Sequence, residues 1–593
     1  MLAIRIASFH SAKFTEVGLY SSSVLQNKYI FVGHEGLSAE NSPTVNYRIS
    51  AYDNSLHKYI LQEQQVKLSD IKCEVCTKSF DCKGCKDLNS PVTVVQLEES
   101  KSIRQAMKVS KDPTDESKFI ITIDYPTRDG VSLKDLYTEE NSNRAMALKS
   151  SESLRNRLSK LNKLQDFHSQ IAESIAKGHV AEITSELATR YKGQPISYQL
   201  INYVEKASSA TTKMRVVTNS SIPRMGGSLN ENLAQGINSL NSSLAVLNRF
   251  AAFPFAILTD LSQAYRSVYT GDATNSVRRF YWFQNPNDPT TVTEYCMQRM
   301  QFGDKPAGNI LAEAINLISN QPEISSDCRD FLKCSFYVDD GAHSSSDKVR
   351  LERLADEFPS VFSKFNFVTK HVIKSWDLSS LAEAKTSTST SESLFGLTWN
   401  LHTDEIKPVL SVHLGKKVRG MYRDEEISFE SIESAKVTLR MLLRVVGSIY
   451  DLSGRHLGPL IFKTREMYSL AARLKPGWDV NINDLDPSLH SAIKQLMNEI
   501  VDVRNQLKPV QRAWVPVGGQ LVNLIFPSDG SETGFSCVGY ARSAVGTSFS
   551  SRNLGSRCKI SNLSVQDNEL CGYLLATKFA LSTIRSLPET TDT

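Results

Sequence analysis

The sequence predicts an α+β protein built from several domains, and three observations lead to this prediction. The chain has 593 residues, which at roughly 100–200 residues per domain corresponds to about three to five domains. Hydrophobic residues make up 40% and charged residues 22% of the chain, so a disordered chain, a collagen-like fibre and a disulfide miniprotein are excluded. Short apolar runs between turn residues, typical of strands, alternate with stretches of helical periodicity.

Nothing in the sequence indicates a membrane segment, so no membrane partner is expected. There is no run of about 18 apolar residues, and the first residues, MLAIRIASFHSAKF, lack the apolar centre of a signal peptide. The net charge of +4 is too small to identify a partner. Ten cysteines in such a chain do not indicate a disulfide framework.

The elements of the first half can be predicted in order. Residues 1–70 alternate apolar runs with polar turns, which suggests a few strands of unclear fold. KFIITIDYP is a plausible strand that opens a new domain, and residues 140–190 have a helical pattern. Between residues 230 and 247, five apolar residues recur at helical spacing and predict one helix packed on a core: Leu233, Ile237, Leu240, Leu244 and Leu247.

Strands and helices are also predicted in the second half of the sequence. PFAILTD is predicted to be a buried strand ending in a carboxylate, and KCSFYVDDGAHSS two short strands joined at an acidic turn. LFGLTWN predicts another strand, and a second amphipathic helix follows from Leu439. LVNLIFPSDGS and FSCVGYARS look like paired strands before a helix at NELCGYLLATKFAL.

Four cysteines have the spacing of a small zinc site. They follow the pattern CxxC-x5-CxxC, and four thiolates suit a tetrahedral, structural zinc ion: Cys73, Cys76, Cys82 and Cys85. The five-residue spacer is shorter than in most structural zinc modules. Free thiols in a linker are therefore an alternative that remains open.

The acidic turn is the most informative motif. FYVDDGAH places Asp339 and Asp340 side by side between apolar runs, and adjacent carboxylates repel each other unless a cation lies between them. Magnesium is the divalent cation that such oxygen ligands favour. Asp260 ends the strand PFAILTD and would complete a cluster of three carboxylates. Such a cluster can hold two metals about 3.5–4 Å apart for in-line phosphoryl transfer.

These residues resemble the palm of a reverse transcriptase, and more closely the BEL/Pao class of long-terminal-repeat retrotransposons. The ordered set of motifs covers about residues 70–593 and is more specific than YVDD alone. The motifs that carry the resemblance are RVVTNSS (215–221), GGSLNENLAQG (226–236), PFAILTDLSQAY with RRFYWF after it, QFGDKPAGNI (301–310), FYVDD, FGLTWN (395–400) and VVGSIYDLSGRHLGPL (445–460). Asn219 stands where the family has an aspartate.

The resemblance implies an RNA-directed DNA polymerase with a right-hand fold of fingers, palm and thumb, followed by a truncated RNase H-like α/β unit. The implied boundaries are an N-terminal segment over 1–70, a Cys-box linker over 71–117, fingers and palm over 118–400, thumb and connection over 401–510, and a partial RNase H-like domain over 511–593. No integrase motif is present, so the chain is expected to be a piece of a polyprotein.

Residue roles follow from the resemblance one position at a time. Asp260, Asp339 and Asp340 would bind Mg²⁺ or Mn²⁺, and the backbone carbonyl of Leu261 would complete one metal shell. Tyr265 would be the aromatic gate that rejects a 2′-hydroxyl; the alternative is an ordinary core aromatic residue.

The same resemblance implies a nucleotide pocket. Arg215 would pair with the triphosphate, since its planar fork suits phosphate oxygens; the alternative is a solvated surface arginine. Phe302, Gly303 and Tyr337 would line the pocket, and Gln301 competes for this role.

The C-terminal segment resembles the opening of a ribonuclease H domain. Asp529 and Glu569 would be its first two metal-binding acids, and Asp592 is a weak candidate for the third. Because these enzymes need about four acids, little or no cleavage of RNA/DNA hybrids is expected.

Partners and location follow mainly from the family. Template–primer and dNTPs are the implied partners, together with other polyprotein products such as Gag, protease and integrase. The stretch 431–475 has eight Lys and Arg against three acids, and such a helical segment could follow a phosphate backbone. Cytoplasmic virus-like particles with later nuclear access are the implied location.

Two other functions remain open. A domesticated or decayed element would keep the fold and only bind nucleic acid. Truncation of the nuclease unit argues for this alternative, and the intact palm aspartates argue against it. The other alternative is a zinc-dependent interaction module in which the Cys box (Cys73, Cys76, Cys82 and Cys85) is the functional site.

Overall fold

The computed structural model describes the backbone of four strands between residues 3 and 62, and then residues 93–205, 214–377, 391–415 and 426–588. The Cys box and Asp592 lie outside these ranges, so the predictions made for them remain untested. None of the helices in the described ranges is both long and apolar enough to cross a membrane.

The chain alternates strands with helices along its whole described length, which confirms the α+β class. The strands are β1 (Ala3–His10), β2 (Lys13–Leu19), β3 (Arg48–Asp53), β4 (Lys58–Gln62), β5 (Met107–Asp112), β6 (Asp115–Ile123), β7 (Val180–Glu182), β8 (Leu200–Glu205), β9 (Met214–Asn219), β10 (Phe255–Ser262), β11 (Val268–Thr270), β12 (Arg279–Phe283), β13 (Val292–Met297), β14 (Phe336–Tyr337), β15 (Asp340–Ser345), β16 (Val368–Lys374), β17 (Ser391–Leu394), β18 (Leu397–Asn400), β19 (Glu405–Pro408), β20 (Val510–Gln511), β21 (Gln520–Ile525), β22 (Ser528–Gly530), β23 (Gly534–Val545) and β24 (Ser548–Ile560).

The α-helices range from one turn to six turns. They are α1 (Val94–Ala106), α2 (Leu133–Leu136), α3 (Arg144–Lys160), α4 (Leu164–Ala176), α5 (Ser185–Arg190), α6 (Leu229–Asn232), α7 (Ser243–Ala251), α8 (Asp272–Ser276), α9 (Ala307–Ser319), α10 (Ser326–Cys334), α11 (Lys348–Ser363), α12 (Phe429–Glu433), α13 (Leu439–Ser448), α14 (Gly458–Arg473), α15 (Pro487–Gln506) and α16 (Val565–Ser586).

The central sheet has four antiparallel strands in the order β14–β15–β10–β16. Strand β10 is apolar on both faces, as its sequence FAILTDLS predicts. Ile257 and Leu261 pack into the core formed with α9, α10 and α11, whereas Ala256 and Leu258 pack with Trp399 on the other face. Burial on both faces fixes the position of the strand and therefore of Asp260 near its end.

Smaller sheets surround the central one. The strands β11, β6 and β5 form one sheet, β12, β13 and β7 form a second, and β8 pairs with β9 in a hairpin. A core that includes Phe167 and Trp282 joins the hairpin to α3 and α4. This part of the molecule holds Arg215 on β9, opposite Val204 on β8.

The C-terminal part of the chain forms a second sheet and contacts the end of α7 and the short segment that follows it. Strands β21, β23, β22 and β24 pair with one another, with β1 and β2 at the edge, and α16 lies against β22 and β23. Trp514 N donates to Ala251 O (2.8 Å), and Arg512 donates to the carbonyls of Phe253 (2.9 Å) and Pro254 (2.6 Å). The segment that leads into β10 is therefore held by the C-terminal part of the chain.

The prediction of one helix over residues 230–247 is wrong. Helix α6 ends at Asn232 and α7 begins at Ser243. Between them Gly236 has φ +74°, and the backbone N–H groups of Gln235 and Gly236 donate to Glu99 Oε2 at 3.0 and 2.9 Å. The leucines have helical spacing, but these two N–H groups donate to Glu99 of the distant helix α1. They therefore do not make the hydrogen bonds that a continuous helix requires.

LFGLTWN is a hairpin rather than a single strand. Phe395 and Gly396 have φ of +49° and +80° and form a two-residue turn between β17 and β18. The Phe395 ring meets Tyr337 of β14 at 5.6 Å between centroids. The turn therefore brings this segment against the acidic hairpin.

Candidate active site

Two of the three predicted carboxylates face each other across the central sheet. Asp260 of β10 and Asp340 of β15 are register partners in the antiparallel ladder. Such directly opposed residues have Cβ atoms about 4.5–5.5 Å apart. The register, which follows from the apolar residues earlier in β10, therefore places two like charges together at the edge of the core.

The third carboxylate sits in a constrained turn. Val338 has φ +60°, a conformation that β-branched residues rarely adopt, and Leu261 N donates to Asp339 O at 2.9 Å. The turn is thus pinned to β10 directly after Asp260. Strain of this kind is typical of functional positions, where surrounding structure holds it in place.

The carboxyl groups perturb one another electrostatically. Burial raises the pKa of Asp340 to about 7, with further contributions from Asp339 and Asp260. Burial and then the charge of Asp260 also raise the pKa of Asp339. Raised carboxyl pKa values of this origin are characteristic of functional sites.

A lysine that the sequence did not single out belongs to this cluster. Lys370 Nζ lies 2.6 Å from Asp260 Oδ2, and the ladder between β10 and β16 shifts register between Thr259 and Leu261. Its positive charge lowers the pKa values of both Asp339 and Asp340. The motif pattern contained no signal for Lys370, which is one of several basic residues in NFVTKHVIK.

The residue chemistry fits a divalent cation. Asp260 Oδ1 is buried without a hydrogen-bond partner, and carboxylate oxygens are the ligands that Mg²⁺ prefers. In the described ranges no three His, Cys, Asp or Glu side chains converge to hold a metal ion. The three-carboxylate metal site therefore stays a prediction.

The predicted gate and loop residues lie together beside the acids. The rings of Tyr265 and Phe302 meet edge to face at 5.5 Å, and Phe302 is 76% exposed. Burial, followed by the charge of Asp339, raises the pKa of Tyr265 to about 12. Gly303 has φ +103°, which favours glycine at this position.

Three other candidates differ in their surroundings. The exposed Arg215 is close enough for its charge to lower the pKa of Asp339. Gln301 is buried, and its side-chain amide donates to Arg299 O at 3.2 Å, so it faces the protein interior. Leu261 has a core side chain, which leaves only its backbone for a role near the acids.

In the C-terminal unit the structure brings the first two predicted acids to neighbouring elements. Asp529 is exposed on β22, and Glu569 lies on α16. A Cβ at Gly530 would collide with the backbone N of Glu569, and one at Gly572 would lie 3.4 Å from Asp529 O. The two glycines thus permit the close approach of helix and strand.

The basic stretch 431–475 is not one continuous helical face, because α13 ends at Ser448 and α14 begins at Gly458. Several of its cations are also engaged within the chain. Arg440 pairs with Asp479 at 2.7 Å and Lys463 with Glu499 at 2.8 Å, and Arg455 donates to Gln511 O at 2.8 Å. The stretch therefore offers less positive charge to a nucleic acid than its composition predicts.

Comparison with known families identifies the C-terminal part of the chain. Residues 438–592 match the family described as the Pao retrotransposon-like RNaseH-like domain. The resemblance to Pao-class retrotransposon polyproteins is thereby confirmed, as is an RNase H-like unit in this segment. The match begins inside the segment predicted as thumb and connection. No curated protein matches the chain.

Several solved structures are similar at low identity. They include the foamy viral protease–reverse transcriptase dRH in complex with double-stranded DNA, with 13% identity and TM-score 0.43 over 71% of this chain and 60% of that chain. The foamy viral protease–reverse transcriptase in complex with an RNA/DNA hybrid follows with 14% identity and TM-score 0.41 over 73% of this chain and 47% of that one. The chain thus spans less than two thirds of either structure, and similarity at this level does not identify an activity.

Proposed function

We propose that this chain, with its Pao-type RNase H-like segment, is an RNA-directed DNA polymerase that adds deoxynucleotides to a primer 3′-hydroxyl. The observation that carries the proposal is the pairing of Asp260 with Asp340 across β10 and β15, with Asp339 pinned at the adjoining turn. RNA or DNA template–primer and dNTPs are the proposed partners.

The three aspartates are the proposed ligands of Mg²⁺ or Mn²⁺. When bound, these cations would supply the positive charge that acidifies the primer hydroxyl and offsets the charge of the pyrophosphate leaving group. Asp340 must be ionised for this role, although burial and the neighbouring carboxylates raise its pKa to about 7 in the free protein. Lys370, which pairs with Asp260, holds that carboxylate in place.

The neighbouring residues would orient the nucleotide. Arg215 would pair with the triphosphate, and the Tyr265 ring, held edge to face by Phe302, would lie under the deoxyribose. Orientation and electrostatic stabilisation are expected to supply most of the rate enhancement.

The test is primer extension by the purified chain on oligo-dT annealed to poly-A RNA, with Mg²⁺ and then Mn²⁺. We expect metal-dependent extension that Asp339→Asn reduces by roughly 10³-fold or more, because charge stabilisation at the reacting phosphate is lost. Asp356→Asn, the same exchange at an exposed position of α11, is the matched control and should extend like the wild type.

No extension with either metal, together with retained template–primer binding in a low-salt shift assay, would contradict the proposal. That outcome would favour a non-catalytic nucleic-acid-binding protein. Equal activity of Asp339→Asn and the wild type would exclude Asp339 from the proposed mechanism.

A further inference from the structure

A buried carboxylate holds the loop that carries Phe302 and Gly303. Asp304 follows these two residues in the chain, and its side chain is fully buried. The pattern QFGDKPAGNI suggested candidates only at the residues before it. The contacts of Asp304 show that this loop is attached to three separate parts of the fold.

Both carboxylate oxygens of Asp304 accept hydrogen bonds from distant elements. Oδ2 accepts from Tyr125 OH at 2.9 Å and Arg278 Nη1 at 3.0 Å, and Oδ1 accepts from Ser220 Oγ at 2.6 Å. Tyr125 follows β6, Ser220 follows β9 and Arg278 precedes β12. One side chain thus joins the ends of three elements from different sheets.

A second set of bonds holds the loop backbone to the same region. Asn230 Nδ2 donates to Gly303 O at 2.9 Å and to Ser221 Oγ at 2.8 Å. Asn230 Oδ1 accepts from Lys305 N at 2.8 Å. The loop is therefore held on both sides of Asp304, which leaves Phe302 exposed toward Tyr265.

The Ser220 contact connects the two sides of the proposed nucleotide pocket. Ser220 comes directly after β9, the strand that presents Arg215, and Asp304 comes directly after Phe302 and Gly303. The bond between them fixes the distance between the side that would hold the triphosphate and the side that would hold the sugar.

A buried ion pair such as Arg278–Asp304 gives little net stability, because desolvation of both charges offsets their attraction. The role of this ion pair is better explained by the position in which it holds the loop. We propose that Asp304 and Ser220 are positioning residues for the incoming nucleotide. The inference rests on the proposed polymerase function and adds two residues that act without touching the substrate.

The test compares steady-state primer extension by the wild type, Ser220→Ala and Ser151→Ala. Ser151 is a matched control, since it is also buried in the fingers region and donates one hydrogen bond, to Tyr281 O at 2.8 Å, away from the loop. Ser220→Ala removes the hydrogen bond to Asp304 and the one that Ser220 Oγ accepts from Gln199 Nε2 at 2.5 Å. We expect the KM for dNTP to rise about 10-fold, the size expected for loss of a hydrogen bond to a charged group. The kcat and the affinity for template–primer should change less than about twofold, and Ser151→Ala should leave KM unchanged.

Asp304→Asn gives a second, stronger measurement. An amide cannot accept all the donors that face this site and leaves Arg278 without its counter-charge, so KM should rise by more than in Ser220→Ala, with a lower melting temperature.

An unchanged KM in Ser220→Ala, or an equal rise in Ser151→Ala, would overturn the inference while wild-type extension upholds the polymerase. Absence of extension by the wild type would overturn the proposed function and the inference with it.

Discussion

The central sheet and the C-terminal sheet both carry predicted metal-binding acids, but they bring them together in different ways. In the central sheet, Asp339 and Asp340 are adjacent in sequence, and the ladder between β10 and β15 adds Asp260. In the C-terminal sheet, Asp529 lies on a three-residue strand and Glu569 on α16, which packs against that strand. The pair Asp339–Asp340 is therefore built into a hairpin, whereas the proximity of Asp529 and Glu569 depends on how a helix packs.

The difference also appears in the surroundings of the acids. Asp339 and Asp340 are partly buried and have raised pKa values, and the positively charged Lys370 lies against their neighbour. Asp529 is exposed to solvent. The acids of the central sheet therefore differ from Asp529 in burial and in the charges around them, and the comparison can be tested at both places.

After the loss of extension expected for Asp339→Asn, the largest effect is expected at Tyr265, the proposed gate of the central site. Tyr265→Ala removes the ring that would contact the 2′-position of the sugar, so discrimination between dNTP and rNTP should fall by roughly 10²-fold, comparable to the loss of a close steric contact. Single-nucleotide incorporation of dTTP and rUTP opposite poly-A measures the ratio. Tyr269→Ala, which removes a tyrosine ring from β11, serves as the control. If Tyr265→Ala discriminates between dNTP and rNTP as well as the wild type does, Tyr265 is an ordinary core aromatic residue.

An intermediate effect is expected from pH. Because the folded-state pKa of Asp340 is raised from 3.8 to about 7, the metal-free protein favours the protonated group. This contribution to stability is complete below pH 3.8 and is lost as the pH rises through 7. Mg²⁺ requires the ionised group, so its apparent affinity should rise about 10-fold between pH 6 and pH 8.

Thermal unfolding with and without Mg²⁺ at several pH values measures this coupling. Asp340→Asn should show a Mg²⁺ response that no longer depends on pH in this range. A wild-type response that is constant from pH 6 to pH 8 would contradict the assignment of Asp340 as a metal ligand.

The smallest effect is expected in the C-terminal sheet. Asp529→Asn should change primer extension less than about twofold, because an exposed substitution away from structural features has little effect on the fold. Cleavage of a labelled RNA/DNA hybrid should be low in the wild type and similar in the variant. Robust cleavage that Asp529→Asn abolishes would contradict this prediction and show that the C-terminal acids form an active nuclease site.

The local pattern was sufficient for elements whose residues are close in sequence. The strand PFAILTD, the hairpin at FYVDD and the helix at NELCGYLLATKFAL all formed where predicted. Periodicity failed at Leu233–Leu247, where Glu99 takes the backbone donors. It was correct for the helix from Leu439, but the charge composition of the stretch 431–475 overestimated its free positive charge, because Asp479 and Glu499 pair with two of its cations. The predicted domain boundaries stay predictions.

The sequence by itself determined the chemistry of the candidate site, because adjacent aspartates in a tight turn and an apolar strand that ends in Asp260 are properties of short segments. Only the tertiary structure decided which residues surround that site. Lys370 contacts Asp260 across 110 positions of sequence, and Tyr125 reaches Asp304 across 179. Such pairs leave no mark in local periodicity, since each depends on how sheets and helices far apart in the chain pack together.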